Sequence, residues 1–116
     1  MTRALVNDIC KDLPGAEVSD PWGGGHDAWK IGGKMFACIG SMDLGVAVKT
    51  ADPEFAAMLI EAGDAVKARY FHRSWVLIEW GGDPGFMRDR ILVSYDLIRA
   101  KLPRKLRDGL AARAEG

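Results

Sequence analysis

Between Trp75 and Lys101 the chain allows little choice of local structure. Trp75-Val-Leu-Ile-Glu-Trp80 is an apolar run of strand length, and Gly81-Gly-Asp-Pro84 breaks it. Asp83 and Pro84 then form a helix start. An Asp side chain accepts from the free N–H groups of a first turn, and the fixed φ of proline suits the first helical position. Met87, Ile91, Tyr95, Ile98 and Leu102 follow on one helical face. A strand and an amphipathic helix joined so closely must bury their apolar sides against one core, which demands stacked layers of helix and sheet.

The rest of the chain fits that demand. Residues 3–13 read as a helix with Leu5, Ile9 and Leu13 on one face and Val6 and Cys10 beside them, ended by Pro14-Gly15. A polar turn follows, and then the loop Asp20-Pro-Trp-Gly-Gly-Gly25. Asp27–Ile31 and Lys34–Ile39 read as strands joined by Gly32-Gly33, a pair suited to a two-residue hairpin turn because both positions need positive φ. Asp43–Lys49 alternates, with Leu44, Val46 and Val48 on one face and Gly45, Ala47 and Lys49 on the other. Asp52-Pro53 starts a second helix, with Phe55, Met58, Leu59 and Ala62 inward and Gly63 as its stop. Val66–Tyr70 reads as a strand, leading through Phe71-His-Arg-Ser74 to the Trp75 strand. Pro103 should end the last long helix, leaving Arg104–Arg113 as a separate turn or short helix anchored by Leu106 and Leu110. The expected fold is a single α+β domain over residues 1–116, an antiparallel sheet with helices packed over one face.

A chain of 116 residues can bury one core. It has no apolar run near the ~20 residues that span a bilayer and no signal-peptide block, so a cytoplasmic protein with no membrane partner is expected. Cys10 and Cys38 lack ligand spacing and sit among apolar residues, which indicates buried free thiols. The formal net charge is zero, yet residues 1–58 hold five Lys/Arg against eight Asp/Glu, and residues 59–116 hold eleven against eight. A neutral total argues against a dedicated nucleic-acid binder, although a local basic face is compatible with it.

Leu13-Pro-Gly15, Pro21-Trp-Gly23, Lys34-Met-Phe-Ala37, Val48-Lys49, Asp52-Pro-Glu54, Trp75-Val76, Ser94-Tyr95 and Lys101-Leu-Pro-Arg-Lys105 occur in an order and spacing that resemble the MmcQ/YjbR family of small bacterial proteins. The resemblance spans residues 5 to 107. It implies a compact domain similar to the CyaY/frataxin-like α/β sandwich, and a DNA-binding role through wing-like β-hairpins. It supplies no catalytic residue. Phe71-His-Arg-Ser74 departs from the Asn-Lys-containing segment that relatives often carry before the tryptophan.

No Ser-His-Asp, Cys-His or paired-carboxylate pattern stands out, so a non-enzymatic binding domain is expected, without catalytic residues. Gly32-Gly-Lys34 is not a phosphate loop, because Ala28 and Met35 stand where Gly and Ser/Thr are needed. His26, Asp27 and His72 have no metal-ligand spacing, and no metal or cofactor is expected. Asp8 and Asp12, interleaved with Arg3 and Lys11, read as a solvated helix face rather than an iron-binding ridge. In the leading reading DNA is the partner, with Lys34, Lys67, Arg69, Arg73, Arg104, Lys105 and Arg107 as candidate phosphate contacts on a basic strand and hairpin face. There Lys67, Arg69 and Phe71 would share one strand face and Val66, Ala68 and Tyr70 the other. The alternative is a small-molecule or anion-binding domain using the Trp22–His26 loop with Lys34, Lys49 and Trp75.

Overall fold

The computed structural model describes residues 1–113; Ala114, Glu115 and Gly116, which end the basic C-terminal run, lie outside the described residues. The elements run α1 (Arg3–Lys11), β1 (Ala16–Ser19), β2 (Asp27–Ile31), β3 (Lys34–Ile39), β4 (Gly45–Lys49), α2 (Pro53–Glu61), β5 (Val66–Lys67), β6 (Trp75–Glu79), α3 (Pro84–Ala100) and α4 (Arg104–Asp108). The six strands form one sheet in the order β1-β2-β3-β4-β6-β5, antiparallel throughout. The expected α+β architecture is the one observed. Gly32 and Gly33 take φ of 56° and 81°, the left-handed conformation that closes the β2–β3 hairpin. Thr2, Asp52 and Asp83 cap α1, α2 and α3, each accepting a backbone N–H of the first turn.

One face of the sheet carries the main core. Val46, Val48, Val76, Ile78, Phe36 and Ile39 from the strands meet Val6, Cys10 and Leu13 at α1, Ala56 and Leu59 of α2, and Met87, Ile91, Tyr95 and Ile98 of α3. The α3 stripe is the one the spacing predicts, and Leu102 extends it beyond the helix. In α1 the buried stripe is Val6, Cys10 and Leu13, rotated by one residue from the expected face, and Leu5 is 50% exposed. In α2 the buried residues are Ala56 and Leu59, while Met58 points outward. Both shifts have one cause: a short helix with apolar residues on adjacent positions has two candidate faces, and contact with the sheet selects between them.

Three further segments depart from expectation. The polar turn before the glycine loop is strand β1, an exposed edge that sets Glu17 opposite Lys30. Val66–Tyr70 pairs only over Val66–Lys67, because Tyr70 adopts φ 70° and the chain turns away from β6. The expected alternation of faces therefore fails, and Ala68 and Phe71 pack together. Asp43, at φ 56°, swings Leu44 out of the strand, so Leu44 is exposed rather than part of the core. Beyond Pro103, α4 forms as expected, but Leu106 is 49% exposed. The anchoring falls to Leu110, which lies over Gly15, and to Arg99, which donates to the Leu110 and Ala111 carbonyls.

One side chain joins the two layers where the sheet opens. The β3–β4 ladder contains only the pairs Ala37↔Val48 and Cys38↔Ala47. At the next position, Phe36 and Lys49, the buried Ser94 hydroxyl is interposed: it accepts from the Lys49 N–H at 2.8 Å and donates to the Phe36 carbonyl at 2.6 Å. Ser94→Ala should destabilise the fold by about 2–4 kcal/mol, since two buried backbone groups lose their partner. Urea unfolding would measure this, and a loss below about 0.5 kcal/mol would show that the strands close up without it.

Candidate functional site

Among the described residues, the cluster on the second sheet face contains no helix residue. The residues of this face form a row across five strands: Ala28 of β2 opposite Cys38 of β3, Cys38 opposite Ala47 of β4, Ala47 opposite Leu77 of β6, and Leu77 opposite Val66 of β5. Small side chains in the middle of that row leave a concavity. Cys38, Ala47, Leu77 and Val66 form the floor of a half-open groove of about 1120 Å3. One wall is the loop with Trp22 and His26 together with the turn Ser41–Leu44, and the other is the segment from Lys67 to Phe71. Gly45, at the end of the floor, comes so close to β6 that a Cβ there would lie 2.7 Å from the Glu79 Cα.

The first wall is built by its polar groups. Asp20 accepts from the Gly25 and His26 N–H groups, at 3.0 and 3.2 Å, which holds its carboxyl below the usual range. Gly23, Gly24 and Gly25 all have positive φ, so the loop can close on that carboxylate. The His26 ring contacts the Gly23 carbonyl through Nδ1 at 2.9 Å and meets Trp22 edge-on, with centroids 5.0 Å apart. Trp22 remains 60% exposed.

Arg3 ties this loop to the neighbouring turn. Its guanidinium donates to the Gly25 carbonyl and Asp27 carboxylate, both at 2.9 Å, to the Gly40 carbonyl at 2.8 Å, and to Asp43 at 3.2 Å. Asn7 adds a bond to Asp27 at 2.9 Å and accepts from the Trp29 indole at 2.8 Å. The solvated face expected for this helix is thus half structural. No spacing rule exposes such a role, because its four acceptors lie 22 to 40 residues away.

The candidate residues divide between places. Trp22 and His26 line the groove; Lys67 and Arg69 stand on its rim without a carboxylate partner among the described residues. Trp75 lies behind Phe71, stacked on it at 4.8 Å, and does not line the groove. Lys49 is four residues along β4 from Gly45, about 13 Å at strand rise, and its ammonium donates to Ser74 at 2.8 Å. Lys34 follows the hairpin turn that packs on Leu102, just before α4 with Arg104, Lys105 and Arg107. Arg104 pairs with Asp108 at 3.4 Å. Arg73 is exposed in the loop before β6. The seven cations therefore do not share one face: β5 is the far edge of the sheet, four strand spacings or about 19 Å from β2. Sequence reasoning missed Met42, Leu44 and Tyr70 at the groove, since their exposure follows from the left-handed turns at Asp43 and Tyr70.

Both thiols are buried and free, as expected, and burial pushes Cys10 up to about 12 and Cys38 up to about 11. Cys38 therefore contributes a neutral, apolar surface to the floor at neutral pH. Among the described residues no group of three His, Cys, Asp or Glu could hold a metal ion, and no helix is long and apolar enough to cross a membrane.

The family model described as YjbR matches residues 11–97. Among solved structures, the chain is similar to the crystal structure of Deinococcus radiodurans protein DR2400, with the domain DUF419. The TM-score is 0.86 at 21% identity, covering 99% of this chain and 93% of that one, which is a likeness of fold. Curated proteins give no match.

Replacing Arg3 should loosen both parts of the groove wall at once. Arg3→Ala is expected to cost about 2 kcal/mol and to speed amide exchange at residues 23–26 and 40–43. Arg3→Lys should restore little, because an ammonium cannot reach four acceptors in a planar fork. Exchange unchanged in both variants would show that the loops hold themselves.

Proposed function

The chain belongs to the YjbR family, and from that premise we propose that it is a binding domain whose groove takes a small amphipathic anion, an apolar or aromatic body with one acidic group. The observation that carries this reading is the concentration of exposed apolar side chains around one concavity. Trp22, Met42, Leu44, Val66 and Tyr70, half of the large apolar residues exposed on the described surface, line the same groove. Scattered singly such residues mean nothing, but gathered around a concave apolar floor they mark a binding site. Aromatic walls suit a flat or extended body, and Lys67 and Arg69 at the rim suit its acidic end. Asp43 and Glu79 also line the groove, which keeps it from being a polyanion channel.

Anilinonaphthalene sulfonate has the required chemistry and reports its own binding by fluorescence. It should bind saturably with one site per chain. Trp22→Ala removes an exposed wall and Ala47→Phe fills the floor, and each should weaken binding by about tenfold or more. Affinity unchanged in both variants would overturn the groove as the site.

A second reading, duplex DNA as partner, is favoured by Lys34, Lys105 and Arg107, which have no carboxylate partner among the described residues at the hairpin and α4 end. With about four phosphates neutralised, log K should fall with log[salt] at a slope of about −3.6. Fluorescence anisotropy at two salt concentrations tests it, and absence of binding at low salt rejects it.

A further inference from the structure

The end of the sheet away from the groove holds a polar cluster that the groove does not use. Lys49 donates through Nζ to the Ser74 Oγ at 2.8 Å, and Ser74 Oγ lies 2.9 Å from His72 Nδ1. The Ser74 N–H also donates to that Nδ1, at 3.1 Å. Nδ1 is therefore an acceptor, and the hydrogen-bond directions follow. The Ser74 hydroxyl accepts from the ammonium and donates to Nδ1, which leaves the His72 proton on Nε2. The donors left over are two N–H bonds on Lys49 and Nε2–H on His72.

A second cation adjoins this cluster. The Lys101 amine lies beside that of Lys49, and burial together with this neighbour holds the Lys49 ammonium below the usual lysine range. No carboxylate among the described residues pairs with either lysine. Two adjacent ammonium groups repel, and neither can accept a hydrogen bond from the other. The positions are nevertheless held firmly. The Lys49 backbone is fixed by Ser94, and the buried Thr50 bonds through N and Oγ1 to the Ser74 carbonyl, both at 2.7 Å.

We propose that Lys49, Lys101 and His72, braced on Ser74, form a site for a phosphate group. The cluster offers two charges and N–H donors from three side chains on separate elements. A tetrahedral dianion answers both charges and several donor directions at once, where a single carboxylate answers fewer, and lysine binds phosphate as a point charge. The phosphate can be free or borne by a larger molecule. The site is independent of the groove, so either can fail without the other.

The test is amide NMR of isotope-labelled protein titrated with inorganic phosphate at constant ionic strength set with chloride. Saturable shifts are expected at Thr50, His72 and Ser74. Lys49→Met and Lys101→Ala should each weaken them by about tenfold. Lys101 is exposed, so that variant should fold even if Lys49→Met does not, and it then decides the matter alone. Parallel titrations with a phosphomonoester and with a short DNA duplex identify the source: tighter binding of the monoester supports a phosphorylated small ligand. Shifts with the duplex but none with inorganic phosphate would overturn the site, as would phosphate shifts that Lys101→Ala leaves unchanged. Sulfonate binding in the groove should be unaffected by Lys101→Ala.

Discussion

The Ser94 hydroxyl sits where the helix layer and the sheet could most easily part. A backbone N–H and C=O facing each other across an antiparallel pair would ordinarily bond directly. Here the strands diverge after two pairs, and a side chain from α3 completes the connection through one oxygen. The register of α3 on the sheet then follows, because the hydroxyl can serve both backbone groups from only one position along the helix. Phe36 and Tyr95 meet edge to face at 5.3 Å beside this point, and the Tyr95 hydroxyl donates to the Pro14 carbonyl at 2.6 Å. The same helix thus fixes the divergence of β3 from β4 and the start of β1.

That divergence separates the two ends of the sheet. On one side of it lies the small-residue floor around the Cys38↔Ala47 pair. On the other, Lys49 keeps its pair with Trp75 of β6 but has none on β3, and its side chain is directed to Ser74. Arg3 does for the floor end what Ser94 does for the other, joining backbone and side-chain groups that lie at or just beyond the last paired residues. Both devices are single polar side chains with several partners, and both lie on helices packed on the opposite face from the groove.

Much of the architecture is legible from sequence because it rests on local chemistry. Gly32-Gly33, Asp52-Pro53 and Asp83-Pro84 state where the chain turns or a helix begins, and five apolar residues at helical spacing state which side of α3 is inward. Edge strands are less legible. β1 has four residues and little apolar character, and it exists because β2 presents an unpaired edge to it. β5 is shortened by a left-handed tyrosine, a conformation no propensity favours. The candidate site is half legible. Trp22 and His26 stand out beside their glycines, but the floor consists of Cys38, Ala47 and Leu77, residues that look in sequence like ordinary strand interior. Their meeting is a matter of register, which needs the whole sheet.

The alternation of strand side chains has a consequence for how the domain can vary. In β4 the core is built by Val46 and Val48 and the groove by Gly45 and Ala47; in β6 the core is built by Val76 and Ile78 and the groove by Leu77 and Glu79. The two sets interleave without overlapping. A larger or more polar residue at 47 or 77 reshapes the concavity while the helix-facing packing keeps every contact, and Gly45 alone resists because of the backbone of β6. Groove shape and foldability are thereby written in alternate letters of each strand. The concavity can therefore change its shape and polarity while the fold stays superimposable.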